Sequence, residues 1–418
     1  MVKSSQQEQE ETFGAAPHER PVPRISIAAF VEFPDTGAAL QRASSDRRLA
    51  KAHMNVQLGG IAAAVEHFHG QVTPNLLVVE TRLNGQAALE ELDRLAEVCD
   101  PSTKVIVVGR VNDVELYREL MRRGASEYLV APLNPIHLIE VISGLYLDPD
   151  ASPIGRVIAF VGARGGAGSS SLSHNVGWCI AEELRINTTI VDLDLPFGTT
   201  GLDFNDEPSQ GVADALSAPE RLDDVLLDRL LVKRGDHLSI FATSAMIDRE
   251  YEAAADAYES VLDAVRQSTP CVIVDVPHVW NAWVKATLIA ADDIVIVATP
   301  DLASLRNAKN IVELLRASRP NDTPPRLVIN QSNIAKRPEI PSKDFAETLG
   351  LDPALVIPFD PAVFGNAANN GQMINEIAPK SPIAAGIRTL AELVTGRVPQ
   401  PLQKATPFLS FLKGKKRA

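Results

Sequence analysis

The apolar run Val157-Ile158-Ala159-Phe160-Val161 passes without a break into Gly162-Ala163-Arg164-Gly165-Gly166-Ala167-Gly168-Ser169-Ser170-Ser171, and from there into the helical stretch LSHNVGWCIAEEL. A strand, a glycine-rich turn and a helix are the physical requirements for a phosphate cradle. Glycines let backbone N–H groups converge on phosphate oxygens, and the positive end of the helix dipole faces the same anion. A hydroxyl just inside the helix, as at Ser170, can ligate magnesium.

The ordinary version of this loop places a lysine at position 169, where a serine stands. A serine cannot neutralise β- and γ-phosphate charge, so hydrolysis is expected to be slow at best. Arg164 is the compensating candidate, because a guanidinium binds phosphate bidentately.

The surrounding sequence supplies carboxylates in a compatible order. Asp192 and Asp194 stand at alternate positions of a strand end (VDLDLPFGT, 191–199), which predicts that both face the magnesium or attacking-water region. The run Cys271-Val272-Ile273-Val274-Asp275 is a buried strand closing on an acid, suited to contact magnesium through water. Asn330 ends a further strand, RLVIN.

Alternation of short apolar strands with helical stretches extends over most of the chain. ISIAAFV (25–31), NLLVVE (75–80), KVIVVG (104–109) and EYLVA (127–131) form one series, with helices near 87–98 and 114–124. RVIAFVGA, NTTIVDLDL, HLSIFAT, CVIVDVP, DIVIVATP and RLVINQ form a second. Both predict α/β domains with doubly wound, mostly parallel sheets. The expected organisation is a disordered lead-in over 1–24, a first domain over 25–145, a linker over 146–155, a second domain over 156–396 and a basic tail over 397–418.

A chain of 418 residues accommodates two such domains. Its net charge of -13 argues against a general nucleic-acid-coating surface. The three cysteines, Cys99, Cys179 and Cys271, are too far apart for a CxxC metal signature and fit a reducing cytosol. The N-terminal segment lacks the apolar core of a signal peptide, and no apolar run is long enough to span a bilayer. In the tail, FLSFL beside KGKKR makes peripheral contact with an anionic membrane one expectation and a solvated basic tail the other.

Residues Arg164 to Ser171 resemble the deviant phosphate loop KGGxGKTT of the ParA/MinD family, with arginine in place of the signature lysine and serine in place of the second lysine. Asp192-Leu193-Asp194 resembles that family's DxD switch I, and Val274-Asp275-Val276-Pro277 its Walker B strand. The family's next glycine is replaced by His278-Val279-Trp280. The segments IPFDP (356–361 with its flank) and KSPIA (380–384) also resemble MinD. The resemblance implies ATP and Mg2+ as ligands. Gly165, Gly166, Ala167, Gly168, Ser169, Ser170, Ser171 and Asn330 would hold the nucleotide, Asn330 through the adenine edge. Ser170, Asp192 and Asp275 would hold the metal, Asp194 would orient water, and Arg164 would reach a partner subunit's nucleotide in a homodimer.

GASEYLVAPL (124–133) resembles the fifth strand of two-component receiver domains. The positions that a receiver needs for phosphotransfer read Phe30-Val31, Glu80, Gly109 and Ala131, so the expected role is protein contact without phosphotransfer. A degenerate receiver followed by a ParA/MinD domain resembles the CpaE/TadZ family of Flp (tight-adherence) pilus assembly proteins. That implies a cytoplasmic, ATP-binding dimer that helps place the pilus secretion machinery at the cell pole, with a secretion ATPase or polar landmark protein as partner. The alternatives are a scaffold with a dead nucleotide site and a ParA-like DNA-partitioning ATPase.

Overall fold

The computed structural model describes residues 21–146, 154–206, 210–243 and 253–397. The expectations for most of the lead-in, the middle of the linker and the basic tail lie outside the described residues. Val22, assigned to the lead-in by its polar surroundings, is buried, and its N–H donates to the Arg48 carbonyl at 2.7 Å.

The first sheet contains β1 (Ser26–Val31), β2 (His53–Leu58), β3 (Leu76–Glu80), β4 (Lys104–Gly109) and β5 (Glu127–Val130). Their spatial order is β2-β1-β3-β4-β5, with every pair parallel, the flavodoxin-like arrangement that the receiver resemblance predicts. Alternation along β3 explains its two covered faces. Leu76 and Val78 pack with Leu40, Leu138 and Ile142 on one side, whereas Leu77 and Val79 pack with Ile61, Leu92 and Leu116 on the other.

At the carboxyl ends of these strands, Phe30 and Val31 are buried inside β1, so the acid that emerges is Glu32, one step later than the pair read from sequence. Glu80 ends β3 with no solvent exposure. One of its oxygens accepts the N–H groups of Glu32 (2.8 Å) and Phe33 (3.0 Å), and the other accepts the Thr36 hydroxyl (2.7 Å). Its hydrogen-bonding capacity is engaged in holding the turn after β1, as expected of a structural carboxylate.

The second sheet contains β6 (Arg156–Gly162), β7 (Thr188–Asp192), β8 (Val232–Lys233), β9 (Leu238–Phe241), β10 (Cys271–Val276), β11 (Asp293–Ala298), β12 (Arg326–Ser332) and β13 (Pro353–Pro358). The order is β13-β12-β11-β6-β10-β7-β9-β8, and only the short β8 runs antiparallel to its neighbour. From β6 the chain first builds to one side, returns at β10, and then builds to the other. The winding therefore reverses at β6, where ligands of such sheets bind outside the strands' carboxyl ends. Val157, Ala159 and Val161 of β6 face one core layer, and Ile158 and Phe160 the other.

The first half carries helices α1 (Pro34–Ser44), α2 (Gly60–Phe68), α3 (Gln86–Ala96), α4 (Val114–Arg122) and α5 (Pro135–Tyr146), and three helices of the second half shape the site: α6 (Ser169–Trp178), α7 (Thr200–Asp203) and α8 (Leu302–Ser318). Asp301 caps α8, its carboxylate accepting the Ser304 N–H at 2.9 Å.

The two halves meet through a buried charge cluster. Arg47, in the turn before β2, donates to Asp322 at 2.7 Å, to Asp292 at 3.2 Å and to the Ala290 carbonyl at 3.2 Å. Asn321 donates to Asp46 at 3.0 Å. Asp292 also accepts from Arg266 and from the N–H of Val157, the second residue of β6, both at 2.9 Å. Asp322 also accepts from Arg319, the residue that ends α8, at 2.8 Å.

Candidate functional site

The loop between β6 and α6 is braced through its carbonyls. The Gly162 carbonyl contacts His278 Nδ1 (3.0 Å), that of Ala163 accepts from Asn307 (2.8 Å), that of Gly166 from Gln331 (2.8 Å) and that of Ala167 from Asn330 (2.9 Å). The N–H groups of Gly165, Gly166 and Gly168 have no acceptor among the described residues. Side chains that hold four carbonyls while adjacent N–H groups stay free leave a loop equipped for an anion. Gly166 and Gly168 have positive φ (76° and 87°), and a Cβ on Gly168 would sit 2.4 Å from Asn330 Nδ2. Two of the loop's glycines therefore answer a backbone requirement.

Ser169 starts α6, and its hydroxyl is buried without a hydrogen-bond partner. Arg164 is half-exposed, its Nη1 donating to Asp301 at 3.1 Å and its Nε to the Gly165 carbonyl at 3.3 Å. Burial opposes ionisation of Asp301, but the Thr299 hydroxyl, the Ser304 N–H and Arg164 together hold its carboxyl below the usual range.

Asp192 ends β7 and Asp275 lies one residue before the end of β10; the two pair in direct register although distant in sequence, so only the sheet brings them together. Both point to the side covered by α6, as alternation from Ile190 and Ile273 requires. Asp192 Oδ1 accepts the Asp194 N–H at 3.0 Å, and its Oδ2 accepts the Thr200 hydroxyl at 2.7 Å and the Thr200 N–H at 3.2 Å. Asp275 is only 3% exposed, and its Oδ1 has no partner. Burial and the charge of Asp192 push the Asp275 carboxyl well up, while His174 and the Ser170 hydroxyl pull the other way.

Asp194 departs from the geometry expected of a DxD strand end. β7 stops at Asp192, so the alternation that would align both acids stops there too. Asp194 lies in the following turn, with its carboxylate accepting the Phe197 N–H at 3.2 Å. Burial, then the neighbouring Asp192, raises its pKa.

Asn330 also differs from expectation. It is 3% exposed; its amide donates to the loop at Ala167, and its oxygen accepts the Gln331 N–H at 2.8 Å. Its place in the structure is as a brace of the phosphate loop, with both halves of the amide engaged.

Sequence reasoning passed over His174. It lies one helical turn beyond Ser170, fully buried between the two strand-end acids and α7. Its Nδ1 is 2.7 Å from Asp203, and its Nε2 is 2.8 Å from the Thr200 hydroxyl and 3.7 Å from Asp275. Burial alone would depress its pKa, but Asp203, Asp275 and Asp192 hold it above the usual range. A polar residue at i+4 from a loop serine was the available signal.

No family model matches the chain. MinD of Bacillus subtilis, a septum site-determining protein, is 25% identical over 250 residues, covering 58% of this chain and 90% of that protein. A pilus assembly protein CpaE from Caulobacter crescentus is 50% identical over 31% of this chain, in the N-terminal domain, and 98% of the solved chain, with a TM-score of 0.30. A ParA family ATPase from Chlorobium tepidum is 26% identical, with 56% of this chain and 98% of that one covered and a TM-score of 0.52.

Proposed function

We propose that this chain, which belongs to the CpaE-type pilus assembly proteins of the ParA/MinD-like P-loop superfamily, is an ATP-binding switch that hydrolyses slowly and acts in assembling a pilus machine. The observation that carries the reading is the braced loop between β6 and α6, with free N–H groups at Gly165, Gly166 and Gly168 above two buried strand-end acids.

Each residue has a role that its chemistry suits. The loop N–H groups and the amino end of α6 would receive phosphate oxygens, together with the hydroxyls of Ser169, Ser170 and Ser171. Ser170, Asp192 and Asp275 would hold a divalent cation; the unpartnered Asp275 Oδ1 is what such a ligand leaves open when the cation is absent. The cation, when bound, supplies the phosphate neutralisation that Ser169 cannot. Arg164 would leave Asp301 to meet nucleotide, in its own subunit or across a homodimer. Asp194 would orient water. The first sheet would serve as a protein-contact module, and the protein would work in the cytoplasm at the cell pole, with a secretion ATPase or landmark protein as partner.

Calorimetric titration of the full chain with ATP and Mg2+ tests the reading. Saturable binding is expected, weakened by Arg164→Ala. Absence of binding by the unaltered protein would leave a scaffold in its place.

A further inference from the structure

His174 sets a ring nitrogen beside the two strand-end acids. Its Nε2 and one carboxylate oxygen from each of Asp192 and Asp275 all lie within 4.8 Å of one another. The three residues come from three elements (α6, β7 and β10) and are 0%, 3% and 3% exposed. They thus form an enclosed cluster of prearranged donors. Asp275 Oδ1, buried and without a partner, is the independent sign that a ligand is missing.

The bond from the far ring nitrogen of His174 to Asp203 is of the kind that orients a metal-binding imidazole. The Asp203 carboxylate accepts the hydrogen bond of His174 Nδ1–H at 2.7 Å; because the Thr200 hydroxyl gives its one proton to Asp192 Oδ2, Nε2–H donates to the Thr200 oxygen, and an ion bound at Nε2 would displace that proton to solvent. A carboxylate behind the distal ring nitrogen fixes the tautomer and raises the basicity of the ligating one. The Thr200 hydroxyl can keep its bond to Asp192 Oδ2 when Nε2 turns to an ion. Bonds of about 2.0–2.2 Å place ligands roughly 3–4 Å apart, so the widest pair of the cluster needs to close by about 1–2 Å.

We propose that His174, Asp192 and Asp275 bind a borderline divalent transition ion of the Mn2+ or Zn2+ class, without nucleotide and in preference to Mg2+. Magnesium favours oxygen donors and its own waters, whereas imidazole suits transition ions. The inference deepens the switch reading and rests on its assignment of Asp192 and Asp275 to a cation, but it does not require that ATP bind.

The test uses the metal-free full chain, MnCl2 and no nucleotide. Electron paramagnetic resonance should show bound Mn2+, with electron spin-echo modulation from one imidazole nitrogen. Magnesium should displace it only at more than roughly 100-fold excess. His174→Gln should remove the nitrogen modulation and weaken binding at least about tenfold, and Asp203→Asn should weaken it about 10–100-fold while keeping the modulation. Mn2+ bound without nitrogen modulation, displaced by equimolar Mg2+, or not bound at all, overturns the proposal; these results in the unaltered protein do not depend on a variant folding. If Mg2+ and ATP still bind in that case, the switch reading survives alone. Nitrogen-ligated Mn2+ without ATP binding supports the proposal and removes the nucleotide reading.

Discussion

Replacing Arg47 by alanine should destabilise the half of the molecule that Arg47 does not belong to. Its guanidinium, 7% exposed, lies between Asp292 (1%) and Asp322 (10%), both in the second half. Removing one partner of a buried ion pair costs about 3–5 kcal/mol, because the opposite charge is left uncompensated. Here Asp292 keeps Arg266 and the Val157 N–H, and Asp322 keeps Arg319, so the lower end, about 3 kcal/mol, is expected. All three tryptophans, Trp178, Trp280 and Trp283, lie in the second half, so their fluorescence follows that half alone. With a urea dependence of roughly 3 kcal/mol per molar, the tryptophan midpoint should fall by about 1 M. Arg47→Lys should recover only part of the loss, since an ammonium cannot reach both acids in a forked geometry. In a double-mutant cycle with Asp322→Ala, the coupling should exceed about 1 kcal/mol. An unchanged tryptophan midpoint in Arg47→Ala would show that the cluster does not join the halves energetically, and the argument from burial would fail.

Three further outcomes follow from the site and the first sheet. The Asp275 carboxyl is pushed up to about 7, above its ordinary 3.8, so the fold gains a proton there and loses stability as pH rises from about 4 through 7. Asp275→Asn should therefore stabilise the metal-free protein by up to roughly 4 kcal/mol at pH 8 and by little at pH 4; equal differences at both pH values in urea titrations would contradict this. Glu80→Gln, which turns one of the two acceptor oxygens shared by the Glu32 and Phe33 N–H groups and the Thr36 hydroxyl into a donor, should lower stability by about 1–3 kcal/mol by circular dichroism, and acetyl phosphate should label neither protein. Ser169→Lys should tighten Mg2+-ATP binding at least about tenfold by calorimetry, unchanged affinity meaning that Arg164 already supplies the charge.

The sheets were readable from sequence because both depend on local periodicity. The apolar runs at 157–161 and 271–276 alternate between two core layers, and their spacing by helical stretches leaves a parallel sheet as the economical arrangement. The phosphate loop was readable because glycine spacing reports a backbone constraint. His174 was not, since its surroundings become acidic only when β7 and β10 bring Asp192 and Asp275 beneath α6. Arg47 sits in SSDRRLAK, which reads as a solvated turn, and its partners are more than 240 residues away in sequence. Asn330 reads as a strand end, whereas β12 runs on to Ser332, and the choice between a base edge and the Ala167 carbonyl is decided by tertiary distance. The two-residue β8 carries too little pattern to be recognised.

Helix α8 has Arg164 of the phosphate loop at its capping aspartate and the Arg47 cluster just beyond its other end. Its 17 residues make a rod about 26 Å long. A rod pivots as one body, so a tilt of about 5° about the Arg47 end carries Asp301 some 2 Å. That displacement is large beside the 3.1 Å separation of Arg164 and Asp301, an exposed pair worth no more than about 1 kcal/mol. A tilt of that size is geometrically enough to part Asp301 from Arg164 and leave the arginine only its bond to the Gly165 carbonyl.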